Sequence, residues 1–416
     1  MAGSWPSRMA AILALTALMA VTAAAQTASA DETEMSAVGP RGSVGPDVPL
    51  TDAEKARLAQ RVMVEGRSAE AVRAACDRAA DEGIPVVFLP AGEYVFDTAV
   101  AVPGALTVLG QGSGTLIRTQ GSDTHLFRAA GDHARFTRLK LQGADTTTST
   151  DNNSHGIVVS GVKNARVDHC ELLGFSYATT FSSEASAQVD HCHIHHNLRD
   201  GLGYGVVIYS GAYVLITDND FSQNRHSLAS NGALDWSSPK RMGKYLHKPG
   251  FRKTHWEFIH NRVGSNGLSH YELCAVDTHP GMDGTFVVER NIFEELRHGV
   301  GIRDGSGLIR GNLFRNLRTV TDFRALVAIS IAYGEHNRIP VEGCMPHSIQ
   351  VAQNTFLDVQ EDQKHVLGKA ENITIEGELL PETRTDREAP LIPWLQEMGE
   401  DGVLHWGEAR PAAGVQ

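Results

Sequence analysis

Basic side chains are in short supply. Lys and Arg number 37 against 49 Asp and Glu, a formal net charge of -12. A chain with that balance carries no electrostatic footprint for a phosphate backbone, so nucleic acid is not an expected partner. Cysteines are few and odd in number: Cys76, Cys170, Cys192, Cys274 and Cys344. No CxxC pair and no zinc-type spacing occurs among them. Long apolar runs are missing beyond residue 30, so no later segment reads as a membrane span and no membrane partner is expected.

The one apolar run lies at the start. Arg8 precedes a stretch from Met9 through Ala25, and Ala28-Ser29-Ala30 supplies small residues for cleavage. That pattern predicts a secretory signal peptide over residues 1–30 and a secreted or periplasmic protein. Residues 31–50, rich in Gly, Pro, Ser and Asp, predict an unstructured leader. TDAEKARLAQRVM opens with Thr51 and carries Glu54 three residues on, a capping-box signature of a helix. An amphipathic helix is expected from Ser68 to Glu82, stopped by Gly83. IPVVFLPAGEYVF and LTVLGQGSGTLIR each read as strand, turn, strand. No helix pattern follows Gly110-Gln111-Gly112-Ser113-Gly114, so those residues form a tight turn rather than a phosphate loop.

From Arg135 onward the chain is periodic. VDHCEL, VDHCHI, ITDNDF, FIHNRV, VERNIF, IRGNLF and VAQNTF share one frame. Their fourth places hold Cys170, Cys192, Asn219, Asn261, Asn291, Asn312 and Asn354. Most intervals suit one coil of a solenoid, and the two of 42 residues suit either two coils or one coil with an insertion. A single coil cannot bury its inward side chains, whereas stacked coils bury a continuous column. Inward Asn can bond to the Asn of the next coil, and Cys can substitute there as a small apolar residue. Cys170 and Cys192 are therefore expected to stack rather than to form a disulfide.

This arrangement resembles the pectin-lyase-like superfamily of right-handed parallel β-helices, over roughly Ser68 to Ile375. The resemblance implies an all-β solenoid with an N-terminal α-helical cap. The chain divides into a signal peptide (1–30), a leader and start of the cap (31–67), the β-helix (68–378) and a C-terminal capping segment (379–416). The last of these, with Leu391, Ile392, Trp394 and Leu395, is expected to cover the open end of the final coil. The superfamily hosts lyases, hydrolases, esterases, epimerases and adhesins, so fold alone assigns no reaction.

Chemistry is concentrated between His270 and Arg303. DNDFSQNRHSL (Asp218 to Leu228) returns as RNIFEELRHGV (Arg290 to Val300). Aligning the ladder places Tyr204, His226, Asp277, His279, His298 and Arg303 on one face of successive coils. Two histidines beside a carboxylate make a base of fixed tautomer, and an arginine makes a fork for a sugar carboxylate. Such a set suits abstraction of a proton alpha to a carboxylate. Asp277-Thr278-His279 with HGVGIR (His298 to Arg303) resembles the alginate carbon-5 epimerase pattern DPHD, then HGII and Arg. That resemblance implies His279 as base, Asp277 as its orienting group and Arg303 as neutraliser of the uronate. Thr278 stands where that family has Pro, and Pro280 where it has a second Asp.

The stretch between Asn219 and Asn261 gathers Lys240, Arg241, Lys244, Lys248, Arg252 and Lys253 with Trp236, Tyr245, His247, His255 and Trp256. A basic, aromatic loop in an acidic protein suits an anionic polysaccharide. Tyr204, Arg225, Glu272, Lys240, Arg241, Lys244, Trp236 and Tyr245 are accordingly the expected substrate contacts. HCHIHHN (191–197) tempts a metal assignment. The ladder turns Cys192 inward, however, and so turns His191, His193 and His195 out to solvent. No metal site and no cofactor is indicated by the sequence, calcium being left open, and the chain reads as a monomer. The expected activity is lyase or epimerase chemistry on a uronate-containing polysaccharide. A glycoside hydrolase using a pair among Asp200, Glu272 and Asp277 is the alternative, and a non-catalytic adhesin a third reading.

Overall fold

The computed structural model describes residues 38–231, 252–264, 274–282, 284–318, 326–333, 335–336, 339–340, 344–387, 391–392, 395–398, 404–406 and 410–411. Each turn of the chain lays down three strands in fixed order. Ala165–Asp168, Glu171–Leu173 and Tyr177–Ser182 form one coil, and Ser186–Asp190, His193–His195 and Tyr204–Ile208 the next. Every strand pairs in parallel with its counterpart one coil on: Val167 with Val189, Leu172 with Ile194, Thr179 with Val206. The outcome is a parallel β-helix with a first sheet of thirteen strands and second and third sheets of ten each. Within these three sheets only the last strand of the first, Glu378–Leu379, runs antiparallel, and three separate two-stranded pairs among the described residues are antiparallel as well.

The bend between the first and second sheets explains the sequence repeat. The residue before each ladder position is left-handed: His169, His191, Asp218, His260, Arg290, Gly311 and Gln353 all have φ between 48° and 61°. For a residue with a Cβ that conformation is unfavourable by about 1 kcal/mol, so something must hold it. The asparagines do. Asn261 Oδ1 accepts the backbone N–H of Asn219 and its side-chain Nδ2–H, both at 3.0 Å. Asn291, Asn312 and Asn354 repeat this pairing on the coils beyond. Each Nδ2 also donates to a carbonyl of the preceding coil, Ile216 for Asn261 and Phe258 for Asn291. The ladder amides from Asn219 to Asn312 are therefore paired within the protein, as burial requires.

Both 42-residue intervals are single coils with an insertion, because Asn219 bonds directly to Asn261 and Asn312 to Asn354. Cys170 and Cys192 lie buried at the start of the ladder as free thiols. Their Sγ–H groups donate to Asp168 O and Asp190 O, each at 3.3 Å. Two residues beyond the ladder, Phe293, Phe314 and Phe356 stack with centroids 4.9 and 5.4 Å apart. A second asparagine pair, Asn197 to Asn224 at 2.7 Å, supports the turn into the third sheet.

The cap forms as its sequence dictates. Ser68 accepts from Ala71 N–H, and helix Ala69–Asp81 turns Ala69, Val72, Ala75, Cys76 and Ala79 onto the first coil. Glu82 caps its end and Gly83 follows at φ +67°. The Thr51–Glu54 capping box is present, but the helix it starts covers only Asp52–Arg57. Arg61–Met63, expected within that helix, is instead the first strand of the first sheet, drawn there by pairing with Val86–Phe88.

Two further expectations are corrected. Residues 39–50 are ordered against the coils rather than unstructured: Gly39 N–H donates to Arg290 O, Arg41 grips Asp218 through two guanidinium nitrogens, and Gly45 N–H donates to His191 O. Arg138 then donates to Val48 O and Pro49 O. The C-terminal segment does meet the last coil, where Thr383 Oγ accepts from Ile373 N–H. It also reaches much farther back, since Leu404 is buried against Leu215 and Ile259 on the first sheet. The side chains of Leu391, Ile392, Trp394 and Leu395 lie outside the described residues.

Substitution Asn291→Ala tests the ladder. It leaves Asn261 with two buried donors unpaired, at a cost of about 3 kcal/mol. Urea unfolding should show a clear loss at Asn291 and a smaller one for Asn354→Ala, where the ladder ends half-exposed. Equal and negligible effects at both positions would refute the account of the bend.

Candidate functional site

The third sheet brings the predicted cluster together. Strands Tyr204–Ile208, His226–Ser230, Val276–Thr278 and His298–Ile302 are consecutive neighbours. Tyr204 lies opposite His226, while Asp277 sits between Ala229 and Gly301. His279 follows its strand directly and is anchored by its N–H to Ser230 O at 2.6 Å.

Asp277 is the hub. Its Oδ1 accepts from Arg303 Nε at 3.0 Å, and its Oδ2 from Arg303 Nη2, a two-pronged grip. The same Oδ2 lies 3.0 Å from His279 Nε2 and 3.7 Å from His226 Nε2. Burial alone would raise the Asp277 carboxyl, but Arg303, His279 and His226 outweigh it and hold it well below the usual carboxylate range. Burial likewise works against the Arg303 cation, and Asp277 more than restores it.

His226 is 3 % exposed, and its Nδ1 lies 2.5 Å from Cys274 O. A carbonyl only accepts, so Nδ1 carries the proton and Nε2 presents its lone pair toward Asp277. Burial pushes His226 down to about 3, so the ring is neutral in ordinary conditions. His298 stands one place removed. Its Nε2 meets Ser330 Oγ at 2.8 Å, and burial followed by the charge of Arg297 lowers it to about 4. Cys274 separates the two histidines in register, and its Sγ–H donates to Val276 O at 2.9 Å.

Tyr204 closes the cluster on the cap side. Its hydroxyl accepts from Arg225 Nη1 at 3.0 Å and donates to Gly201 O at 3.3 Å. Burial raises it above its ordinary value, against the pull of Arg225. Val207 and Ala229 form an apolar floor beside it, bordered by Tyr177, Leu202 and Tyr209.

Sequence reasoning missed three supports. Thr278 Oγ accepts the N–H groups of Arg303 and Asp304 at 2.8 and 3.2 Å and donates to Asp304 O at 3.1 Å. A proline there could not make that clasp, which is a physical reason for threonine at this position. Gly301 must remain small, because a Cβ would sit 2.9 Å from Cys274 Sγ. Ser330 belongs to the coil after His298 and carried no motif.

Other predicted residues fall elsewhere. Trp236, Lys240, Arg241, Lys244, Tyr245, Lys248, His247 and Glu272 lie outside the described residues. His255 and Trp256, expected in the basic loop, belong to strand His255–Ile259 and are fully buried, Trp256 packing on Phe286. Arg252 stacks on Tyr213 with 3.6 Å from its guanidinium carbon to the ring centroid, and donates to Glu184 O and Ala185 O. Asp200 is an exposed loop residue whose Oδ1 accepts from Gly201 N–H. His193 and His195 share one face, with rings 4.1 Å apart, but it is not open to solvent: His193 is half-buried and His195 is buried, with Nε2 3.2 Å from Glu171 Oε1. His191 does not join them: it occupies the left-handed bend, with Nδ1 2.9 Å from Asp190 Oδ2.

The buried histidines set a pH signature. His155, His193 and His298 are lowered to about 4 and His226 to about 3, each chiefly by burial. An unfolded chain takes up these protons near pH 6.5 and the folded one does not, so stability is full above that value and falls as pH drops toward 4. A fully buried ring such as His226 contributes a slope on the order of 1 kcal/mol per pH unit in that window, and the half-buried His155, His193 and His298 contribute less. Urea unfolding between pH 4 and 8 should show the decline, and His298→Asn should make it shallower. An unchanged slope in that variant would contradict the assignment.

The family model described as right-handed beta helix region matches residues 130–244. No curated protein matches the chain. Among solved structures it is similar to the Dettilon tailspike protein, with 12 % identity, a TM-score of 0.53, and coverage of 85 % of this chain and 78 % of that one. It is also similar to the catalytic domain of a GH87 alpha-1,3-glucanase in complex with nigerose, with 15 % identity, a TM-score of 0.49, and coverage of 79 % and 60 %. The A-module of the Azotobacter vinelandii mannuronan C-5 epimerase gives 13 % identity, a TM-score of 0.38, and coverage of 78 % and 96 %. At these identities the likeness is one of fold, and the fold is a right-handed parallel β-helix.

Proposed function

We propose that the Asp277 cluster is the active site of a secreted enzyme that abstracts the carbon-5 proton of a uronate in an anionic polysaccharide. The observation that carries this reading is the 3.0 Å contact of His279 Nε2 with Asp277 Oδ2, beside an arginine that grips the same carboxylate. An ionised carboxylate holds the proton on Nε2 and leaves Nδ1 as the basic nitrogen. His279 Nδ1 takes the proton from carbon 5. Negative charge then develops on the uronate carboxyl group, and Arg303, whose Nη1 lies outside its pair with Asp277, stabilises it. Arg225 adds a second cation on the Tyr204 side.

Two outcomes follow from the same carbanion. If the electron pair expels the oxygen at carbon 4, the product is unsaturated, and the Tyr204 hydroxyl supplies the proton to the leaving group. If Tyr204 returns a proton to carbon 5 from the opposite side, the sugar is epimerised. Tyr204 suits either task, because a hydroxyl raised by burial keeps its proton at neutral pH. The apolar floor of Val207 and Ala229 offers a surface for the face of a sugar ring.

The test is turnover across a panel of uronate polysaccharides, read by ultraviolet absorbance for elimination and by carbon-5 proton exchange for epimerisation. On the responsive polymer His279→Asn should lose on the order of 100-fold or more. Arg303→Lys should lose less than Arg303→Ala, because lysine keeps the charge and loses only the fork. Thermal unfolding run in parallel separates a catalytic loss from a folding loss. A normally folded and fully active His279→Asn would place the chemistry elsewhere.

A further inference from the structure

The ligand-bearing atoms of His226, Asp277 and His279 all lie within 4.8 Å of one another, which no other group of three or more His, Cys, Asp or Glu matches among the described residues. We infer that these three side chains form a binding site for a divalent transition ion of the zinc class, and that the ion switches the base off.

The geometry fits such an ion. Donors bound at about 2.0–2.1 Å in tetrahedral array stand about 3.3 Å apart. Asp277 Oδ2 lies 3.0 Å from His279 Nε2 and 3.7 Å from His226 Nε2, which bracket that spacing, and the two imidazole donors, within 4.8 Å of each other, draw together as the ion binds. Two imidazoles and one carboxylate favour zinc-like ions over calcium, which takes six to eight oxygens. Three protein ligands leave a fourth position for water or substrate.

The second observation concerns His226. Its Nδ1 donates to Cys274 O, and a ring fixed that way presents Nε2 as a ligand. Histidines bound to metal ordinarily have their other nitrogen held by a carbonyl or carboxylate. His226 serves no proton-transfer step in the reaction proposed above, so this prearranged lone pair is otherwise unexplained. Arg303 does not block the site. It occupies one direction on each carboxylate oxygen, and an ionised carboxylate has about four such positions. Its charge does oppose a second cation, so binding should be weaker than at structural zinc sites.

The regulatory half rests on the reading of His279 as base. With the ion on Nε2, the ring's single proton must move to Nδ1. That is the nitrogen proposed to receive the carbon-5 proton, so the bound ion removes the base by a tautomer change.

Zinc chloride titrated into the full chain, with no substrate present, tests the site by itself. Isothermal titration calorimetry should give one ion per chain, absent with calcium chloride, and thermal unfolding should shift upward with zinc. His226→Gln and His279→Gln should each weaken that event by about tenfold or more. His298→Gln, whose ring meets Ser330 instead, should leave it intact. Histidine nitrogen NMR should show the proton of His279 moving from Nε2 to Nδ1 as zinc is added. No one-to-one event, or an event unchanged in both the His226 and His279 variants, overturns the site. Zinc binding without loss of turnover on a responsive polysaccharide overturns the switch. Zinc binding in a protein inactive on every polymer supports the site and counts against the reaction.

Discussion

The bend at the asparagine ladder is the constraint on which everything else rests. Each coil has a left-handed residue before the ladder position, and from Cys192 to Asn312 the next coil's asparagine takes the N–H of the ladder residue that follows it. The coils are thus stabilised pairwise, and no single coil is stable alone. The spacing of the third sheet follows from it. Asp277, three coils and one insertion from Tyr177, is placed by the same hydrogen-bonded bend that places Asn261 and Asn291.

Within that frame the site is built by concentrating demand on one carboxylate. Asp277 answers to Arg303, His279 and His226 together, and burial makes each of those interactions stronger than it would be in water. Thr278 fixes the coil that carries Arg303, and Gly301 leaves room for the Cys274 sulfur beside it. The residues that matter chemically come from four consecutive coils, so a shift of one coil by one residue would scatter them.

Much of this was legible because repetition writes register into sequence. The Asn and Cys centres identified the solenoid, and aligning them placed Tyr204, His226, Asp277 and Arg303 on one face. What was illegible depended on contacts across coils that leave no periodic mark. Nothing in the composition of residues 39–50 says that Arg41 will find Asp218, and a Gly- and Pro-rich stretch looks the same whether docked or loose. His255 and Trp256 were misplaced because basic neighbours hid the strand they begin. The division of labour between His226 and His298 turned on Cys274 O and Ser330, one a backbone atom and the other a residue without a motif.

The strap formed by residues 39–50 bears on how the chain reaches its structure. Gly39 bonds to Arg290, 251 positions later, and Arg41 to Asp218, 177 positions later. Its anchor points ascend the stack in reverse, from the coil of Asn291 down to Arg138 beside the cap. Docking it requires those coils to be stacked already, since its partners are bend residues that exist only once neighbouring coils pair. Coil growth can proceed locally from the cap, each new turn templated by the last. The strap cannot. Segments synthesised before the solenoid therefore settle after it.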